Sequence, residues 1–422
     1  MTAHDETHRR TATSRSTCQL DHSYTERIYP DLDDSRGSRL AVSSAAARGL
    51  PVLDTLGCRA PREQDRTVTH EVADDVSAGD QTTVTFAELY ERVEAIFRNA
   101  GLSAEPAGPI ARMIAAGERD GAASHGIYRI DGCLRTIRAG KVNRTAVPEL
   151  EDDGSAVIRV AAHDGSSGAA LEVGVPVLAE RARQLGLASL VIHDAAHFSA
   201  LWYDVESLTE LGLAALALCP SYTAVAPAGG REPLLGTNPI AFGWPRPGKA
   251  PYVFDFATSM AARGEVELHL RAGTPLPEGW AIDSDGQPTT DPEAALAGAL
   301  LPFGGHKGSA ISIMIELLGG IMIGDLTSPE SLANMGTEAR IPSHGELILA
   351  FDPERFASGR PGNSAARAEI LFDAILGQGA RLPGQRRHAA RERSLAEGIT
   401  LIADEVEQLD RFEKLGLDAV AE

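Results

Sequence analysis

Four short apolar runs, SAVIRVAA, LASLVIHD, LAALALCPS and PYVFDFATS, alternate with stretches of helical period between residues 146 and 330. Each is rich in β-branched and apolar residues and bounded by turn signals, the pattern of strands buried in a sheet. A helix is predicted between the first two, from Ala169 to Leu185. Strands interleaved with helices predict a mixed α/β fold with some α+β character. The lead-in is helical: TFAELYERVEAIFRNAGL sets Phe86, Leu89, Val93, Ile96 and Phe97 on one stripe, with Thr85 as N-cap and Gly101 beyond the end. Two more helices are predicted, through EPAGPIARMIAAGERDGAASHG and from Ile130 to Ala139. PLPEGWAIDSDGQPTTDP reads as an ordered surface excursion. From Ala310, AISIMIELLGGIMIG predicts a buried helix; GELILAFD predicts a strand, Ala365 to Leu376 a helix, and the tail through Leu415 another.

Residues 1–82 differ from all this. They mix Arg, Asp, Ser and Thr with few large apolar residues, and such a segment buries too little surface to offset its ordering entropy. A mostly disordered extension is expected there. The remainder divides into a helical part at 83–145, a strand-rich centre at 146–330 and a strand with helices at 331–422.

Charge narrows the partners. With 59 acidic and 39 basic residues the net charge is −20, which repels a phosphate backbone and argues against nucleic acid. The longest apolar run, near Ser309 to Gly324, carries Glu316 and is too short to span a bilayer, so no membrane partner is expected. Four cysteines, Cys18, Cys58, Cys133 and Cys219, are widely spaced with no CxxC pair. That usage fits a reducing cytoplasm.

The glycine-rich stretch LLPFGGHKGS is not a P-loop. Counting back from Lys307, the first required glycine falls on Leu301, and Gly308 follows the lysine where Ser or Thr would hold magnesium. No strand is followed by G-x-G-x-x-G, which disfavours a Rossmann domain. HDAAH, from His193 to His197, resembles a zinc-protease pattern but ends a predicted strand, whereas that motif needs a helix; no metal site is assigned. No G-x-S-x-G elbow exists, so Ser124 is not read as a hydrolase nucleophile. The company of His125 is more telling. Arg129 lies four residues on, and an arginine fork beside a proton donor suits a small carboxylate substrate. In GTNPIAFG and FDFATS, the polar residues Thr237, Asn238 and Asp255 sit among apolar ones, as in a lined pocket.

SHGIYRI, HFSALW, GTNPIAFG, VFDFATS and LLPFGGHKGSA, in this order and spacing, resemble the malate/L-lactate dehydrogenase family of NAD(P)-dependent oxidoreductases without a Rossmann fold. The likeness covers roughly residues 84–400 and is nearest to members that reduce Δ1-piperideine-2-carboxylate and Δ1-pyrroline-2-carboxylate. It implies a non-Rossmann NAD(P)-binding domain with a mixed sheet at 146–330, flanked by substrate and dimerisation regions. It implies His125 as proton donor, Ser124 as its orienter and Glu265 as its acidic partner, where the family's imine reductases have aspartate. Arg129 and Thr237 correspond to carboxylate contacts, with Arg263 and Gly264 also at the substrate; Arg263 replaces a histidine. Cofactor contacts are implied at His197, Phe198, Ser199, Ala200 and Leu201, at Asp255, Phe256 and Ala257, and at His306 and Lys307. A fourth set is Arg381, Leu382, Pro383, Gly384, Gln385, Arg386 and Arg387, with Gln385 where aspartate is expected. Arg386 and Arg387 suit a 2′-phosphate and favour NADPH, with NADH as the alternative. The reaction implied is hydride transfer to C2 of a cyclic imine 2-carboxylate by a homodimer. The alternatives are a 2-hydroxy-acid dehydrogenase acting on malate, lactate, sulfolactate or ureidoglycolate, and a catalytically silent cofactor-binding homologue.

Overall fold

A computed structural model of the chain describes residues 81–360 and 363–421. They lie within one compact unit, Asp75–Glu422. The extension expected at the amino terminus falls outside the described residues up to position 80, and Thr82 already begins a strand.

In chain order the elements are β1 (Thr82–Val84), α1 (Phe86–Asn99), α2 (Ala104–Arg119), α3 (Arg129–Arg138), β2 (Glu149–Glu151), β3 (Val157–Ser166), α4 (Ser167–Leu185), β4 (Leu187–Ala196), α5 (Leu201–Thr209), β5 (Ala214–Leu218), β6 (Ile240–Trp244) and β7 (Tyr252–Phe256). Then come α6 (Arg263–Ala272), β8 (Ala281–Ile282), β9 (Pro288–Thr289), α7 (Pro292–Ala297), β10 (Ala299–Leu300), α8 (His306–Glu316), α9 (Ser328–Met335) and β11 (Glu346–Phe351). The chain closes with α10 (Pro353–Phe356), α11 (Ser364–Leu376), α12 (Gln385–Glu397), β12 (Ile399–Leu401) and α13 (Ala403–Leu415).

A seven-stranded sheet in the order β2-β3-β4-β11-β5-β6-β7 forms the scaffold. Only β3 and β4 pair in parallel, joined by the α4 crossover; every other neighbour is antiparallel. The mixed α/β expectation therefore holds. β11 arrives from far along the chain and inserts between β4 and β5, a pairing no local pattern announces. The main core joins Ile158, Val160, Leu190 and Ile192 of the sheet to Ile114, Leu134 and Leu178 of the helices.

Local signals explain much of the rest. Thr85 caps α1 in a reciprocal box with Glu88, and Leu89, Val93, Ile96 and Phe97 are its buried stripe. The tail returns to this start: β12 pairs with β1, Ile399 opposite Val84, and α13 packs on α1 through Leu409 and Phe412. No helix among the described residues is long and apolar enough to cross a membrane.

Three expectations need correction. The second helix stops at Arg119, leaving Ser124 and His125 in a separate 3-10 turn, Ala123–His125. The apolar run after LLPFGGHKGS starts its helix at His306 rather than Ala310, and it is not buried throughout. Ser312 and Glu316 point inward to hydrogen-bond Asn238, so Ile313, Met314 and Leu317 turn outward, and Ile321 and Met322 follow through a π turn at Leu317–Ile321. The proline-rich excursion is also more than loop, since β8 and β9 join β10 in a small antiparallel sheet.

Candidate active site

The turn after α2 holds the first cluster. Ser124 Oγ lies 3.1 Å from His125 Nδ1, and Arg129 opens α3 just beyond. Burial, and then the Arg129 charge, push the His125 imidazole down to about 3, so it is neutral in the open site. Arg129 lies over the Phe198 ring, 5.3 Å from its centroid, and its Nε is buried with no hydrogen-bond partner. An unsatisfied guanidinium nitrogen under cover is costly unless a ligand completes it.

Helix α6 closes over this turn through an unexpected acid. Glu267 accepts the Tyr128 hydroxyl at 2.5 Å and lies 3.8 Å from Arg263 Nε. Arg271 covers the Tyr128 ring at 5.0 Å, and Arg263 covers Tyr222 at 5.9 Å. Gly264 lies beside Tyr128, where an added Cβ would meet Cε1 at 4.0 Å. Arg263, Glu267 and Arg271 recur every four residues and so share one face of α6, a spacing present in the sequence. Glu265 is exposed, and no hydrogen bond or ion pair joins it to His125. It fails as the acidic partner because the first turn of α6 points it outward. Tyr222 also escaped sequence reasoning. Burial raises its phenol pKa, opposed by the charges of Arg263 and Arg129.

The second cluster gathers at the end of β7. Thr237 fixes the entrance, its carbonyl accepting both the Thr258 amide and hydroxyl. Its neighbour Asn238 is fully buried and holds Ser221, Ser312, Glu316 and Ser328 together. Asp255 accepts the Trp202 amide at 2.9 Å, tying β7 to α5; burial pushes its carboxyl up to about 6 against that bond and Arg387. Phe256 beside it is 44% exposed, stacks on Phe254 and meets Phe303 edge-on at 5.7 Å. Ala257 follows, half-buried. Thus the FDFATS and LLPFGGHKGS segments touch.

A cleft of about 540 Å³ runs between Tyr252–Phe256 on one side and Pro383, Gly384 and Arg387 on the other. Gly304 and Gly305 take φ of 57° and 62°, with open space where each Cβ would stand, and exposed His306 and Lys307 start α8 beside them. At Gly308 a Cβ would fall 2.1 Å from the Phe303 carbonyl. An exposed aromatic face, a glycine cradle at a helix start and one ammonium fit a dinucleotide. Another cleft of about 440 Å³, near Arg183 and Trp244, contains none of the expected residues.

Not every expected contact faces that cleft. His197 is 6% exposed, with Nε2 3.0 Å from Glu346 Oε2 and its ring stacked on His344 at 4.4 Å. Burial pushes its imidazole down to about 4. Phe198, Ala200 and Leu201 are also buried, and Ser199 donates to Asp204, so this segment supports the site from behind. The ligand atoms of His197, His344 and Cys219 come within 4.8 Å of one another, but stacked imidazoles aim their in-plane lone pairs side by side rather than at one point.

In the tail, buried Leu382 donates its amide to the Gln385 side chain, which shapes the turn. Arg387 pairs with Glu206 and covers Trp202 at 4.5 Å, so it is not the free phosphate reader expected. Arg386 and Arg381 are the exposed arginines there, and RLPGQRR is a turn that runs into the start of α12 at Gln385.

The chain matches the family model described as malate/L-lactate dehydrogenase over residues 84–410. It is 65% identical over 343 residues to Δ1-pyrroline-2-carboxylate reductase of Agrobacterium fabrum, covering 81% of this chain and 99% of that one. It is 54% identical over 318 residues to the Δ1-pyrroline-2-carboxylate/Δ1-piperideine-2-carboxylate reductase of Pseudomonas aeruginosa, covering 75% and 95%. The crystal structure of Δ1-piperideine-2-carboxylate reductase from Pseudomonas syringae pv. tomato superposes with a TM-score of 0.75 at 44% identity, covering 78% of this chain and 99% of that one.

Arg129 and Glu265 should differ in their effect on the His125 titration. Arg129→Gln should raise the His125 pKa, since a neighbouring cation disfavours the imidazolium; Glu265→Gln should leave it in place. NMR titration of the ring reads both, and a drop in the Glu265 variant would restore that carboxylate to the site.

Proposed function

The chain belongs to the malate/L-lactate dehydrogenase family, and from that premise we propose that it is an NAD(P)H-dependent reductase of a cyclic imine 2-carboxylate. Its substrates are Δ1-pyrroline-2-carboxylate and Δ1-piperideine-2-carboxylate, and its products L-proline and L-pipecolate. The relatives so named support this reading, and one observation carries it in the geometry: Arg129, covered and missing a partner at Nε, stands beside His125.

Each residue then has a task. The substrate carboxylate completes Arg129 through charge-assisted hydrogen bonds. With the Ser124 hydroxyl donating to Nδ1, His125 carries its proton on Nε2, facing the substrate nitrogen. Pairing of the carboxylate with Arg129 cancels the second cause of the low His125 pKa, so proton affinity rises as substrate binds. The Gly304–Lys307 cradle and the Phe256 face would hold the dinucleotide, whose nicotinamide would supply the hydride for C2. His125, having taken up a proton as substrate binds, gives its Nε2 proton to the nitrogen and returns to the neutral ring. In a 2-oxo acid the same geometry protonates oxygen, so fold alone does not separate the two activities. The silent-homologue reading rests on Glu265 and Arg263; Glu265 does not stand at His125, and Arg263 remains beside Glu267 and Tyr222, so turnover itself decides it.

NADPH oxidation should be at least about 100-fold more efficient with the two cyclic imines than with a panel of 2-oxo acids, a gap that differential transition-state contacts readily supply. Faster turnover of pyruvate or oxaloacetate would sink the reading. His125→Ala should lower kcat about 10²- to 10⁴-fold.

NADPH is the preferred cofactor in this reading, and Arg386, exposed next to the cleft, meets the 2′-phosphate. Arg386→Ala should cut the NADPH:NADH ratio of kcat/KM about tenfold, the worth of one charge-assisted hydrogen bond. An unchanged ratio removes Arg386 from that role.

The assembly is a homodimer, supported by the outward apolar row Ile313, Met314, Leu317, Ile321 and Met322, which a second copy covers. Sedimentation should give twice the chain mass, and Leu317→Lys should halve it; a monomeric wild type overturns this.

A further inference from the structure

The last turn of α2 lies directly beneath the His125 turn. Glu118 Oε1 accepts the backbone N–H of Ile127 at 2.7 Å, two residues past His125. Two glycines permit that approach. A Cβ on Gly126 would fall 1.8 Å from Glu118 Oε1, and one on Gly117 would fall 2.7 Å from the His125 carbonyl oxygen. The space that Glu118 fills is enough to demand glycine at 126. The remaining backbone bonds of the turn are local: His125 to Ala122, Gly126 to Ala123, Arg129 to Gly126. Such bonds move with the turn. The Glu118 bond anchors it to a packed helix. Burial pushes this carboxyl up to about 7, the Ile127 amide opposing and Glu405 adding, so a costly group is kept where a Leu would pack more simply.

We propose that Glu118 is a positioning residue of the reaction: through the Ile127 amide it sets the height of the 123–127 turn, and so the place of the His125 ring against Arg129. Ser124 fixes the rotation of that ring; Glu118 fixes the backbone that carries it. This rests on the reductase reading only for its effect on turnover.

Glu118→Gln keeps an acceptor oxygen, and Glu118→Ala removes it. The Ala variant should lose about 30- to 100-fold in kcat, the effect of a displacement near 1 Å at a catalytic group. Its NADPH Kd should stay at the wild-type value. The Gln variant should remain within about threefold, since the same hydrogen bond persists. Gly126→Ala should reproduce the Ala loss, and the double variant Glu118→Ala/Gly126→Ala should add little to it, as residues in one contact do. The His125 ring resonances should shift in Glu118→Ala and hold in Glu118→Gln, a readout that needs no turnover and stands even where the substrate reading fails. A wild-type kcat in the Ala variant, a Gln variant as impaired as Ala, or NADPH affinity falling in step with kcat would each overturn the proposal.

Discussion

Five charges buried together decide where the site can form. Asp120, just past α2, is enclosed between Arg119 and Arg391; Glu206 of α5 takes Arg391 and Arg387 of α12. Desolvation alone would raise the Asp120 pKa, but its hydrogen bonds to Arg391 and Arg119 win and hold it below the usual value. Removing one member of such a set strands the others, at a cost of about 3–5 kcal/mol. The network therefore fastens three segments distant in sequence: the helix leading to His125, the helix following HFSALW, and the helix opened by RLPGQRR. Trp202 lies under both arginines and gives its amide to Asp255, which extends the clamp to β7. The substrate side and the cofactor side of the site share this support.

That clamp also marks the limit of what could be read from the sequence. Signals confined to one turn were legible: the Thr85–Glu88 box, the strand runs, and the helix from Ser364 to Leu376. The family segments were legible as strings. What a string does not carry is the direction of each side chain once distant partners arrive. Arg387 looked like a phosphate reader until Glu206, 181 residues away, took it. Glu265 stands out as the acid of the site through the family likeness, while the carboxylates that reach this region are Glu118, on the Ile127 amide, and Glu267, on the Tyr128 hydroxyl. Ile313 and Met314 looked like core because Ser312 and Glu316 were not yet known to face Asn238.

Behind the HFSALW segment the interior is polar, and burial works against charge there. Burial lowers the pKa of His197 and His344 and raises those of Asp204 and Glu346, so each is driven toward its neutral form. Neutral groups cost less to bury and still fix directions through hydrogen bonds. The Glu346–His197 contact ties β11, the strand inserted from far along the chain, to the segment that carries Phe198. Phe198 in turn lies under Arg129. A topological fact, the position of β11 in the sheet, is thereby transmitted to the guanidinium offered to substrate.

The same economy of charge governs His125. A carboxylate held against the ring would favour its protonated form at rest, whether or not substrate was present. Here burial first, and then the Arg129 charge, work the other way and keep the ring neutral. In the proposed reading, the anion that completes Arg129 is the substrate's carboxylate. Because the carboxylate and the reacting carbon belong to one small molecule, the group that completes Arg129 also delivers C2 to its place. Proton affinity at His125 and correct placement of the reacting bond then rise in a single binding event. A molecule without the carboxylate would do neither, even if its ring fitted the space. Selectivity for 2-carboxylates follows from the acid–base arrangement itself, before any contact with the ring is counted.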